Sequence, residues 1–182
     1  MIIIEGVNET GKEFLIQGLS KEYGFGIRRL TDLEGSEDPG TYLKDASKVK
    51  LVQDRWHLTS LVYNYIMNRG SQQLTASAML YIVSQLNANG ALVVVVHNSN
   101  EPSFRSEVSK KDLAFLETNA IVQANKLFGA LANTWIRDSY TKEEYYYSDI
   151  NFDEAEGPLS DKHVREIYHA WTYRVGRRTV TT

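Results

Sequence analysis

The sequence predicts an α/β domain, a parallel sheet covered by helices on both faces, and three observations carry that expectation. Ile2 to Ile4 and Ala91 to Val96 are short apolar runs rich in β-branched residues, the pattern of strands buried on both sides. Stretches with apolar residues at helical spacing alternate with such runs along the chain, and no internal repeat interrupts them. At 182 residues, 42% hydrophobic and 24% charged, the chain fits one globular domain over 1–182 with a substantial core.

Composition narrows the chemistry. With no cysteine, disulfides, thiolate metal sites and cysteine nucleophiles are excluded. A net charge of -3 argues against a dedicated nucleic-acid binder held by phosphate contacts, although a local basic patch stays open. The longest apolar stretch, Ala91 to Val96, is far too short to cross a bilayer, so no membrane partner is expected and a cytoplasmic location is.

The first element is a strand at Ile2 to Ile4, followed at once by Gly6-Val7-Asn8-Glu9-Thr10-Gly11-Lys12. Two glycines at this spacing with a lysine after the second match a phosphate-cradling loop in all but its last position. Phe14, Leu15, Ile16 and Leu19 then recur at helical spacing, with a stop at Tyr23-Gly24. Loop amides and the first turn of such a helix converge on an anion, and the lysine adds charge beside terminal phosphates, so the expected ligand is a nucleoside triphosphate. Glu13 stands where Ser or Thr would offer a hydroxyl to Mg²⁺. Either its carboxylate takes over the metal contact or it turns away and water substitutes.

Phe25 to Leu30 reads as a second strand, made less apolar by Arg28 and Arg29, and 31–48 as a loop with a short helix, either an ordinary surface connection or, if the chain were a nucleotide kinase, its acceptor-covering segment. Val49 to Asp54 reads as a third strand whose end carries Asp54 and Arg55. Parallel α/β sheets bind ligands outside such ends. Helices are expected over Leu58 to Ile66 and Leu74 to Asn89. After the strand at Ala91 to Val96, the polar stretch 98–111, with Arg105, Lys110 and Lys111, reads as a lid-like loop that brings positive charge to phosphates. Asp112 to Leu131 is the longest helical pattern, Thr134 to Arg137 a candidate fifth strand, and Asp161 to Trp171 a closing helix before a frayed tail. The tyrosine-rich stretch Tyr140 to Tyr147 has no assigned place.

Three blocks, Ile2 to Lys12, Asp54 to Tyr63 and Gly90 to His97, with a weaker fourth at Trp135 to Thr141, resemble the thymidylate kinase group of P-loop nucleoside monophosphate kinases, particularly its short phage-type members. The resemblance implies a three-layer P-loop kinase fold with a five-stranded parallel sheet. It implies transfer of a phosphoryl group from ATP, with Mg²⁺, to a deoxynucleoside monophosphate, dTMP or a related or modified pyrimidine deoxynucleotide, in the host cytoplasm if the chain is phage-encoded. On this likeness Gly6, Asn8, Glu9, Thr10, Gly11, Lys12 and Glu13 hold the donor, Lys12 being the phosphate-loop lysine. Asp54 is the acid near the metal and the acceptor's reacting phosphate, and Arg55 clamps the acceptor phosphate, while Glu13, outside the family pattern, is the second candidate metal ligand if its carboxylate takes over the hydroxyl's contact. Tyr63 helps to form the acceptor pocket, and Arg105 closes over both phosphates.

Simpler roles compete: Asp54 as a helix cap, Arg55 in a surface ion pair, Tyr63 in the core. Asn8 and His97-Asn98 depart from the family pattern, as Glu13 does. A kinase of a modified base or hydroxyl in DNA, and a non-catalytic nucleotide-binding protein, are the alternatives. Many relatives are dimers, so self-association is left open.

Overall fold

The computed structural model describes residues 1–7, 10–29, 39–43, 45–67, 75–109, 118–137, 147–151 and 159–178. Strand β1 (Ile2–Glu5) is central because both of its faces are apolar. It is flanked by β3 (Leu51–Asp54) and β4 (Leu92–His97), with β2 (Gly26–Arg29) and β5 (Tyr147–Asn151) outside them. The order is β2-β3-β1-β4-β5, and every neighbouring pair runs parallel. Ile4 pairs with Asp54 and Glu5 with Val95, so the C-terminal ends of three strands meet at one edge.

Successive strand residues point to opposite faces, and each face builds its own core. On one side Ile3, Val93 and Val95 pack with Trp56, Leu58, Phe104 and Phe128, below helices α3 (His57–Ile66), α4 (Ala76–Ala88), α5 (Glu101–Ser109) and α6 (Thr118–Arg137). On the other, Ile2, Ile4, Val94 and Val96 pack with Leu15, Ile16 and Leu19 of α1 (Lys12–Tyr23) and with Val164, Ile167 and Trp171 of α7 (Asp161–Arg178). Gly18 lets α1 approach α7: a Cβ there would lie 2.6 Å from a methyl of Val164. The short α2 (Pro39–Leu43) is tied to the β3–α3 corner, where Trp56 Nε1 donates to the Tyr42 carbonyl at 2.8 Å and Tyr42 donates to Ser60 Oγ at 2.8 Å.

Four strands lie where the sequence places them, and the fifth does not. Thr134 to Arg137 forms the last turn of α6, because no glycine or proline between Leu131 and Thr134 interrupts the helix. The strand beside β4 is instead Tyr-Ser-Asp-Ile-Asn at 147–151, whose polar composition suits a sheet edge and hides it from a search for apolar runs. The expected lid-like loop is also helical over α5. Phe104 and Val108 are buried one turn apart, Pro102 occupies the first turn, and Asn98 Oδ1 accepts from the Asn100 amide at 2.8 Å ahead of it. The side chain of Asn125 fixes the same connection, accepting from the Asn98 amide at 2.9 Å and donating to its carbonyl at 2.7 Å. Helix α7 continues to Arg178, with Val175 packed on the core where the sequence suggested a frayed tail. Lys110, Lys111, Tyr140 to Tyr146 and, within the acceptor-covering segment, 31–38 and Lys44 lie outside the described residues. No helix among the described residues is long and apolar enough to cross a membrane.

Candidate active site

The edge where β1, β3 and β4 end holds most of the residues that the sequence singled out. The chain leaves β1 through Gly6, whose φ of 136° no other residue type tolerates well. A Cβ there would sit 2.2 Å from the Val96 carbonyl oxygen, so the loop can lie against β4 only as glycine. Thr10 closes the turn, donating from Oγ1 to the Val7 carbonyl at 2.7 Å. Gly11, at φ 78°, then starts α1 without a side-chain cap, which leaves the first-turn amides turned toward the loop, as anion sites require. Asn8 and Glu9 lie outside the described residues.

Lys12 is almost wholly buried, and its Nζ lies 2.7 Å from Asp54 Oδ1. Burial pulls its ammonium below the usual lysine range, and the Asp54 carboxylate opposes that shift, while Arg55 adds to it. Loop lysine, strand-end acid and guanidinium therefore share one neighbourhood. Arg55 has a φ of 61°, a left-handed conformation that costs a residue with a Cβ about 1–3 kcal/mol. Both sides of the corner hold it there. The Arg55 amide donates to the Ile4 carbonyl at 3.0 Å, and Gln53 Nε2 donates to the carbonyls of Asp54 and Arg55, each at 3.3 Å.

The next link is one that the sequence reading missed. Glu5, fully buried at the end of β1, accepts from the amides of Trp56, Leu58 and Thr59 at 3.0, 3.0 and 3.1 Å and from Thr59 Oγ1 at 2.6 Å. A carboxylate from the central strand thus caps α3, the role the sequence left open to Asp54. Burial still drives the Glu5 carboxyl above its usual range, against the pull of those donors. A charged residue closing an all-isoleucine strand was the available signal, since such a group must find partners.

Other expected residues lie elsewhere. Tyr63 is buried in the core on the α3 side, together with Trp56 and Val62. Arg105 belongs to α5, where it donates to Asn119 Oδ1 at 2.6 Å and lies 3.3 Å from Glu101 Oε1, so its partners are on α5 and α6 rather than on the loop. His97 ends β4 beneath α6, facing Gly129, where a Cβ would come within 3.0 Å of its Nδ1.

The resemblance read from the sequence implies Mg²⁺, and the donors present do not fit a protein-held ion. Glu13 Oε1 accepts from Arg29 Nη2 at 2.5 Å and from Gln17 Nε2 at 2.7 Å. Asp54 is shared between Lys12 and Arg29, whose Nε is 3.8 Å from Oδ2. Each carboxylate already has a cation. Among the described residues no cluster of three or more potential ligands could hold a metal.

The fold as a whole is similar to that of solved structures that hold nucleotides. The YorR protein of Bacillus subtilis, solved with phosphorylated GDP, superposes with a TM-score of 0.67 at 18% identity, over 93% of this chain and 94% of that one. Deoxyadenosine kinase from M. mycoides superposes with a TM-score of 0.52 in two states. With bound dCTP the identity is 17% over 93% of this chain and 97% of that one, and with the products dCMP and a flexible dCDP it is 14% over 96% and 98%. No protein-family model and no curated protein matches the chain.

Proposed function

We propose that this chain moves the γ-phosphoryl group of ATP to a deoxynucleoside monophosphate, with dTMP or a related or modified pyrimidine deoxynucleotide as the acceptor. The observation that carries the reading is the 2.7 Å contact of Lys12 with Asp54, which joins the glycine loop to the end of the neighbouring strand. The fold shared with deoxyadenosine kinase supports it.

In this reading the amides of Gly11 and the first turn of α1 hold the donor phosphates, and Lys12 exchanges Asp54 for them when ATP enters. Arg55, fixed by its strained backbone, presents a planar fork to the acceptor phosphate. An oxygen of that phosphate attacks the γ-phosphorus in line, the bond to the β-phosphate oxygen breaks, and ADP leaves. A phosphate oxygen is already nucleophilic, so positioning and charge neutralisation carry the rate.

A hydroxyl acceptor is the second reading, favoured by the likeness to a kinase named for a nucleoside. There Asp54, released by Lys12, would take the hydroxyl proton. One screen separates the two: ADP formed from ATP with each common nucleoside, each nucleoside monophosphate and a duplex oligonucleotide. The proposal expects acceptor-dependent ADP with deoxynucleoside monophosphates, lost in Lys12→Ala; because Lys12 is buried against Asp54 the variant should melt at a lower temperature, so activity is compared where its melting curve shows it still folded. ADP with nucleosides or DNA alone moves the assignment to the second reading. Full turnover in Lys12→Ala, or no acceptor-dependent ADP at all, overturns both.

A further inference from the structure

Glu13 puts a carboxylate into the first turn of α1, where a loop of this type receives phosphates, and a fixed negative charge there repels them. Arg29, the last residue of β2, is aligned with Asp54 across the β2–β3 ladder, which brings its guanidinium to the same edge. From there Nη2 meets Glu13 at 2.5 Å and Nε faces Asp54 at 3.8 Å. One guanidinium therefore spans the two carboxylates that the sequence offers as ligands for a divalent cation. It neutralises Glu13 and keeps further N–H donors for a ligand, since a guanidinium has five in all.

We propose that Arg29 stands in for the divalent cation, bridging Glu13 and Asp54 so that a nucleoside triphosphate binds at the loop without Mg²⁺. The inference rests on the reading of the loop as a triphosphate site. Lys12 and Arg29 then supply the positive charge, and the positions of Glu13 and Arg29 compensate each other, the acid of α1 being tolerated because the base of β2 covers it. The sequence alone separates the two residues by a whole helix, and only the strand register brings them together.

The test is calorimetric binding of the non-hydrolysable analogue AMP-PNP, in EDTA and in MgCl2, to the parent chain, Arg29→Gln, Arg29→Lys and Glu13→Thr. The side chains of Arg29 and Glu13 are 49% and 55% exposed, so the variants are expected to fold, with melting curves as the control. For the parent chain the two dissociation constants should agree within about threefold. Arg29→Gln should bind about tenfold to a hundredfold more weakly in EDTA, the worth of hydrogen bonds to a charged group, with Mg²⁺ restoring most of the loss. Arg29→Lys should retain part of the EDTA binding, and Glu13→Thr should make binding respond to Mg²⁺ through its new hydroxyl. Parent binding that collapses in EDTA, or an Arg29→Gln profile like the parent's, overturns the inference while leaving the nucleotide reading intact. Failure of the parent to bind under either condition overturns the nucleotide reading itself.

Discussion

His57 opens α3 fully buried, with its Nδ1 3.5 Å from Glu5 Oε1 and neither ring nitrogen hydrogen-bonded. Burial lowers its pKa from 6.5 to about 3, so the folded chain keeps it neutral where the unfolded chain protonates it. The unfolded state binds the extra proton throughout that window, and this group's contribution to stability is therefore lost as pH falls from about 6.5 toward about 3. Glu5 runs the other way: its raised carboxyl lets the folded state hold a proton longer, so its contribution fades as pH rises above the ordinary carboxylate range. Replacing His57 by Gln removes only the first effect. Urea unfolding should show the loss of stability between about pH 7 and about pH 5 shrinking by about 2 kcal/mol in His57→Gln. An unchanged loss would show that the folded state carries the imidazolium.

Among the elements, the joint between β1 and α3 decides where the site residues stand. Glu5 is its fastener, because the same carboxylate serves three amides of α3 and the Thr59 hydroxyl. Glu5→Ala strands those donors in a dry corner, and chemical denaturation should show a loss of about 3–5 kcal/mol. Glu5→Gln, which keeps an acceptor oxygen, should lose less. Equal stability of the alanine variant would mean that water reaches the corner.

The same joint shows what could be read in advance. The strand, glycine loop and helix from Ile2 to Leu19 announced themselves through local chemistry, as did Asp54 and Arg55 at a strand end. The bond from Glu5 to α3 and the pairing of Arg29 with Glu13 join residues far apart in sequence, and no local pattern records them. Helix α5 was misread because its charged residues outnumber Phe104 and Val108, and β5 because an edge strand need not be apolar.

At the scale of the molecule, two apolar cores clamp a sheet whose strand order sets β1 beside both β3 and β4. That order places the loop, Lys12, Asp54 and Arg55 at one edge and leaves Tyr63 and Arg105 to packing and to an ion-pair network on α5 and α6. The central claim is that this edge receives a nucleoside triphosphate through Lys12. The most direct measurement is the melting temperature of the parent chain and of Lys12→Ala as ATP is titrated. Ligand that binds only the folded state adds about 2.7 kcal/mol at a hundredfold excess over the dissociation constant, so the parent should rise by several degrees and Lys12→Ala should stay flat. An equal rise in both, or none in the parent, would contradict the account.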